Sequence, residues 1–413
     1  MDYPMNRRQM MAHLSRIGGL AMAGGIGMSE AVAAAKWAPK PHPRAKDFFV
    51  IDAVVHCYNH DLTNYIDNSG IAAGVSYGYD VHLNVTPKPY QLTPGQWLHD
   101  WQPEETAENV FLESDTDMMC MHSVPLFDGY KDGLVSNPKG AYLKRKYPDR
   151  VVWYAAVDLF DTFDNIKRTI DWVKGQGATG IKLYPSGFNR ETKEPASWLM
   201  DDQKRAFPVF EYALSSGIKH IGVHKLIGYS KERAPYLGIE DLAGAAEAFP
   251  EAWFHLVHAG WTMMDENAAL MNKYPNITAV LEGPMFWPRF DVPQFDKLMR
   301  DFITKVDINR VLYATGATVL HPYWILNDFM DYSPSKDAGF TFTERDKAKV
   351  LGENFAKLHD IDIPAARKAI ANDRFSTSVR ENGLREPFVE QRKILADAGL
   401  TDKIKPFDGP RLY

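Results

Sequence analysis

The sequence predicts an α/β protein built as a (β/α)8 barrel, with a long insertion after the first strand and a helical C-terminal tail. Three observations carry this. Eight short β-branched or aromatic runs recur along the chain, each followed by a helix-compatible stretch. Most are continuously apolar rather than alternating, as expected when both faces of a parallel sheet are covered. The polar residues fall at the C-terminal ends of the runs, where such barrels place their chemistry.

Residues 1–35 stand apart from the fold. Asn6-Arg7-Arg8-Gln9-Met10-Met11 sets a twin arginine ahead of a weakly apolar, Gly- and Ala-rich stretch from Ile17 to Met28. Ala31-Val32-Ala33-Ala34 follows as an A-x-A-like cleavage pattern. The segment resembles a twin-arginine export signal and implies a periplasmic or exported protein; without it the protein is cytoplasmic. Residues 36–47 read as a linker, and the barrel occupies 48–360.

The eight runs are Phe48–Tyr58, Thr116–Pro125, Val151–Asp158, Thr179–Pro185, His220–Leu226, Trp253–Gly260, Ile277–Gly283 and Arg310–Ala317. Between them, Thr162–Gly175 opens on an N-cap threonine, carries Ile166, Ile170, Trp172 and Val173 at helical spacing, and stops at glycine. Asp202–Gly217 repeats the pattern with Ala206, Val209, Phe210, Ala213 and Leu214. The spare length lies in 59–105, rich in Gly, Pro, Tyr and Asn. A loop that long reads as a lid or a partner contact. Residues 361–413 read as a C-terminal extension, helical and then Pro-containing.

Composition excludes several classes. Of 413 residues, 45% are hydrophobic and 24% charged, which describes a folded globule rather than a disordered or collagen-like chain. Lys+Arg 47 against Asp+Glu 53 gives −6 with no long basic run, so nucleic acid is not an expected partner. No apolar run reaches the roughly 20 residues that a membrane span needs. The two cysteines, Cys57 and Cys120, make no disulfide framework and sit in apolar runs, as buried free thiols do.

The strand ends carry His56, His122, Lys182 and Tyr184, His224, His258 and Glu282, with His321 just past the eighth run. One histidine on an apolar strand is usually a core residue. Several at matching depth on separate strands, with a carboxylate, form the donor set that Zn²⁺, Fe²⁺ or Mn²⁺ requires.

These residues lie in segments that resemble a known family. Phe49-Val50-Ile51-Asp52-Ala53-Val54-Val55-His56 is similar to the opening of the amidohydrolase-related TIM barrels, which include aminocarboxymuconate semialdehyde and resorcylate decarboxylases. Phe111–Asp117, Gly180-Ile181-Lys182-Leu183-Tyr184-Pro185, Val223-His224, His258-Ala259-Gly260, Arg310–Gly316 and Leu351–Leu358 follow in family order. The resemblance implies His224 and His258 near a metal. It also exposes two departures. The family's first strand reads Asp-x-His-x-His, with both histidines binding metal; here Val54 stands at the first position and only His56 remains. The family's eighth strand ends in a metal-binding aspartate, where this chain has Gly316.

The resemblance therefore implies a metal-dependent hydrolase, decarboxylase or lyase for a small carboxylated or aromatic substrate, working through an altered site. Its metal ligands are His56, His224 and His258, its catalytic groups His258, Glu282 and Lys182. Tyr184, Arg289 and His321 are candidates for substrate binding, Arg289 as a clamp for a carboxylate. Zn²⁺ is the first expectation, with Fe or Mn as alternatives. The competing reading is a metal-free, non-catalytic paralogue that partners an intact subunit, and either reading is compatible with a homo- or hetero-oligomer. Restoring the two lost ligands together, Val54→His with Gly316→Asp, is expected to raise metal occupancy.

Overall fold

A computed structural model describes residues 39–66, 78–188, 192, 195–226, 238–259 and 263–397. The twin-arginine segment, residues 67–77 of the insertion and the end of the tail lie outside these residues. All eight expected runs form strands: β1 (Ile51–Val55), β2 (Met118–His122), β3 (Val151–Ala156), β4 (Gly180–Leu183), β5 (His220–His224), β6 (Trp253–Val257), β7 (Ile277–Val280) and β8 (Val311–Leu312). They pair in parallel in chain order. Between β8 and β1 the seam is closed by Ala53 N donating to Tyr313 O (2.9 Å) and Gly316 N to Val54 O (3.0 Å). On the other side of β1, its pairing with β2 shifts register between Asp52 and Val55.

Each connection carries a helix that covers the outer face. The expected cap holds: Thr162 accepts from Asn165 N at the start of the helix Phe163–Gly175. The next helix is shorter than its sequence pattern, Ala206–Ser215, and Gly217 takes the turn beyond it at φ +79°. One element escaped the sequence reading, an antiparallel hairpin of Ser186–Phe188 with Pro195–Ser197 after β4. Among the described residues no helix is long and apolar enough to cross a membrane.

An apolar cluster lies inside the barrel below its mouth. Val54, Cys120, Tyr154, Val257, Val280, Leu312 and Ala314 form one buried cluster. The C-terminal segment seals its floor with Phe355, Ala356 and Ile370. Polar ties fix that segment at the N-terminal ends of the strands. Arg367 donates to Phe48 O (2.7 Å), and Arg150, which precedes β3, grips both carboxylate oxygens of Asp373. Gly352 permits the close approach, since a Cβ there would lie 2.0 Å from Phe49 O. Three helices follow, Ile363–Ile370, Arg374–Asn382 and Val389–Asp397, as the tail was expected to supply. Both cysteines are free and buried.

The described part of 59–105 packs at the C-terminal end of β1. His60 stacks between Tyr58 and Trp97, and His82 accepts from Leu92 N (2.8 Å). Trp97 and Trp101 are buried core residues of this insertion. Burial lowers His60 to about 3 and His82 to about 4. Unfolded histidine titrates near 6.5. The unfolded chain therefore binds more protons between pH 6.5 and 4, and stability falls as pH falls through that window. Asp52 works in the opposite sense, because burial raises it to about 7. Urea unfolding isolates the histidine contribution: from pH 6.5 to 4.5, His60→Phe should lose less stability than wild type by about 1.4 kcal/mol per pH unit. Parallel pH dependences would contradict a neutral His60.

Candidate active site

Strands β2, β4 and β5 each end their inward-facing row in an ionisable residue, and His56, His258 and Glu282, just past β1, β6 and β7, complete the ring. His56 and His258 are held alike. His56 Nδ1 donates to His122 O (3.1 Å) and His258 Nδ1 to Glu282 O (3.2 Å). A carbonyl only accepts, so each Nδ1 carries the proton, and each Nε2 is turned towards the Glu282 carboxylate. His56 Nε2 lies 3.5 Å from Glu282 Oε1, and His258 Nε2 lies 4.0 Å from Oε2. His258 reaches this position because its φ of +67° turns the chain out of β6.

His224, at the end of β5, brings Nδ1 to 3.1 Å from His258 Nε2 and stacks on Tyr184 at 4.3 Å. His56, His224 and His258 are thus brought together as the sequence implied, in a chain that runs His56–Glu282–His258–His224. Burial keeps His258 neutral, lowering it to about 4 against the pull of Glu282. For Glu282 itself burial works upward, but His258, His56 and Lys182 outweigh it and hold the carboxyl below the usual range. Among the described residues, Glu282 Oε2 is buried without a hydrogen-bond partner.

Gly316 faces this carboxylate. A Cβ on Gly316 would lie 2.7 Å from Glu282 Oε1, and its φ is +69°. The carboxylate therefore reaches the site from beyond β7, over the glycine that follows β8. Val54 belongs to the apolar cluster beneath.

Lys182 is fully buried on β4, and among the described residues its Nζ meets no hydrogen-bond partner. Burial lowers it to about 8, with Glu282 pulling the other way. Its Nζ also lies 5.6 Å from the centre of the Tyr184 ring. Two residues had not been given roles. His122, on β2, is buried with both ring nitrogens unsatisfied among the described residues. Asp52 accepts from Thr315 N (3.0 Å), from the Thr315 hydroxyl and from Val54 N (3.2 Å), pinning β1 to β8 under the site. Their positions on inward rows of β2 and β1 were the available signal.

The other candidates are engaged elsewhere. Arg289 forms a two-pronged pair with Asp328 (2.5 and 2.6 Å). His321 is fully buried, caps the helix Pro322–Asp331 and meets Glu113 Oε2 at 2.9 Å. An imidazole and a guanidinium already matched to carboxylates are costly to redirect towards a substrate.

Three imidazoles with a carboxylate suit a divalent cation of the zinc or manganese class. Two of these imidazoles spend Nδ1 on backbone carbonyls, the arrangement that orients a metal-binding histidine. The His56 Nε2 lone pair, 3.5 Å from Glu282 Oε1, also needs a proton or a cation between the two. In donor chemistry these residues suit a metal.

The profile of a family described as Amidohydrolase matches residues 130–361. No curated protein matches the sequence. Among solved structures, an uncharacterised TIM-barrel protein from Bordetella bronchiseptica is 15% identical, covering 76% of this chain and 98% of its own, with a TM-score of 0.51. The 5-carboxyvanillate decarboxylase from Novosphingobium aromaticivorans, solved with manganese, is 12% identical over 78% of this chain and 100% of its own, at 0.48. A 2,6-dihydroxybenzoate decarboxylase from Rhizobium is 16% identical over 60% and 85%, at 0.44.

Proposed function

This chain belongs to the amidohydrolase family, and from that premise we propose that it is a metal-dependent enzyme that decarboxylates a small carboxylated or aromatic substrate at the barrel mouth. Hydrolysis is the neighbouring reading within the same family. The observation that carries the proposal is Glu282: a buried carboxylate with an unsatisfied oxygen, aimed at two oriented imidazoles and lying over Gly316. His56, His224, His258 and Glu282 would hold the cation, which supplies Lewis acidity towards a substrate oxygen.

The remaining residues favour decarboxylation over hydrolysis. Hydrolysis needs a free base to take a proton from water. Glu282 is committed to the imidazoles, and the position past β8 that would bear another carboxylate is glycine. Decarboxylation asks instead for a cation that attracts the substrate carboxylate and a proton for the carbon that loses CO2. Lys182 provides both, as a desolvated ammonium beside Glu282. Tyr184, stacked on His224, offers an aromatic face to a flat ring.

Elemental analysis with a CO2-release screen of hydroxybenzoates and related aromatic acids tests this. The full chain should carry divalent metal at the mouth and release CO2 from at least one acid. His224→Ala should lose that equivalent and cut turnover by at least 100-fold. A chain that carries none there, releases no CO2 and behaves identically as His224→Ala overturns the proposal and leaves the non-catalytic partner reading.

A further inference from the structure

At the opposite end of the barrel a second group of imidazoles converges. His220 opens β5, His255 lies on the inward row of β6, and His359 follows the helix Asn354–Leu358. One ring nitrogen from each lies within 4.8 Å of the others. Tyr154, rising from β3, places its hydroxyl 3.0 Å from His255 Nε2 and 2.8 Å from His359 Nε2. His220 Nδ1 is 3.0 Å from the same His255 Nε2. Four donor atoms on four separate elements thus face one point.

We propose that His220, His255, His359 and the Tyr154 hydroxyl form a second, structural site for a divalent metal ion of the zinc class, at the floor of the barrel. His255 is oriented for this, because its Nδ1 meets Thr278 Oγ1 at 2.7 Å and its Nε2 points into the group. Nitrogen donors without a carboxylate select zinc, cobalt, nickel or copper over calcium or magnesium. Four protein donors close the coordination shell, which marks a structural rather than a catalytic ion. Such an ion would tie the C-terminal segment, through His359, to β3, β5 and β6. It is independent of the mouth site, sharing no ligand with it.

The test uses the full chain carrying His224→Ala, treated with chelator and then titrated with Zn²⁺ alone. This background disables the mouth, so failure of the active-site reading leaves the experiment intact. The expected result is one Zn²⁺ bound per chain and a higher thermal midpoint on metal addition, both lost on adding His359→Ala. His359 sits at the rim of the group, and His359→Gln provides a milder variant if the alanine chain unfolds. Addition of Co²⁺ should give the visible absorption of a tetrahedral site, absent in both His359 variants. No metal uptake by the His224→Ala chain, or uptake unchanged by the His359 substitutions, would overturn the proposal.

Discussion

Lys182→Met is expected to lower turnover about a thousandfold, within the usual range for a group that handles a proton in the reaction, while metal content stays at the wild-type level. Methionine matches the lysine stem in length and shape but carries no charge. The same substitution should raise stability by roughly 1–3 kcal/mol, because a fully buried ammonium without a hydrogen-bond partner costs desolvation energy that folding must offset. Opposite movements of activity and stability mark a residue kept for chemistry. Turnover within tenfold of wild type, or a chain that becomes less stable, would remove Lys182 from the reaction.

Gly316→Asp should abolish metal binding at the mouth and reduce turnover at least 100-fold. From the sequence alone, an aspartate at this position looked like a restored ligand when paired with Val54→His. The structure corrects that expectation. A Cβ at Gly316 meets Glu282 Oε1 at 2.7 Å, the φ of +69° disfavours side chains, and the new carboxylate would face an existing one. Two carboxylates compete for one place. Adding Glu282→Ala to Gly316→Asp removes the conflict, and metal content should return above that of either single variant. A Gly316→Asp chain that binds metal as well as wild type would show that Glu282 does not fill the aspartate's space.

Much of the barrel was legible because burial on both faces leaves continuous apolar runs, and each of the eight became a strand. The hairpin after β4 was not. Ser186–Phe188 and Pro195–Ser197 are three-residue pieces containing Gly and Pro, with no periodicity to read. At the site, His56, His224 and His258 were legible as strand-end histidines, and Glu282 as the carboxylate among them. Its placement over Gly316 was not, since side-chain reach across neighbouring strands leaves no spacing in the sequence. The carboxylate partners of Arg289 and His321 were hidden for a related reason: Asp328 and Glu113 are 39 and 208 residues away, respectively. The floor histidines share no spacing either, and only the closed barrel assembles them.

The seam between β1 and β8 has a kinetic side. Asp52 and Thr315, which pin the first strand to the last, are 263 residues apart. At ribosomal rates of 5–20 residues per second, roughly 13–53 s separate their synthesis. Throughout that interval β1 emerges with one edge unpaired and no last strand to zip against. Contacts of such long sequence separation form slowly, so closure of the barrel comes late in folding. Until then, the apolar floor that Phe355 and Ile370 will cover is open to chaperones and to other nascent chains.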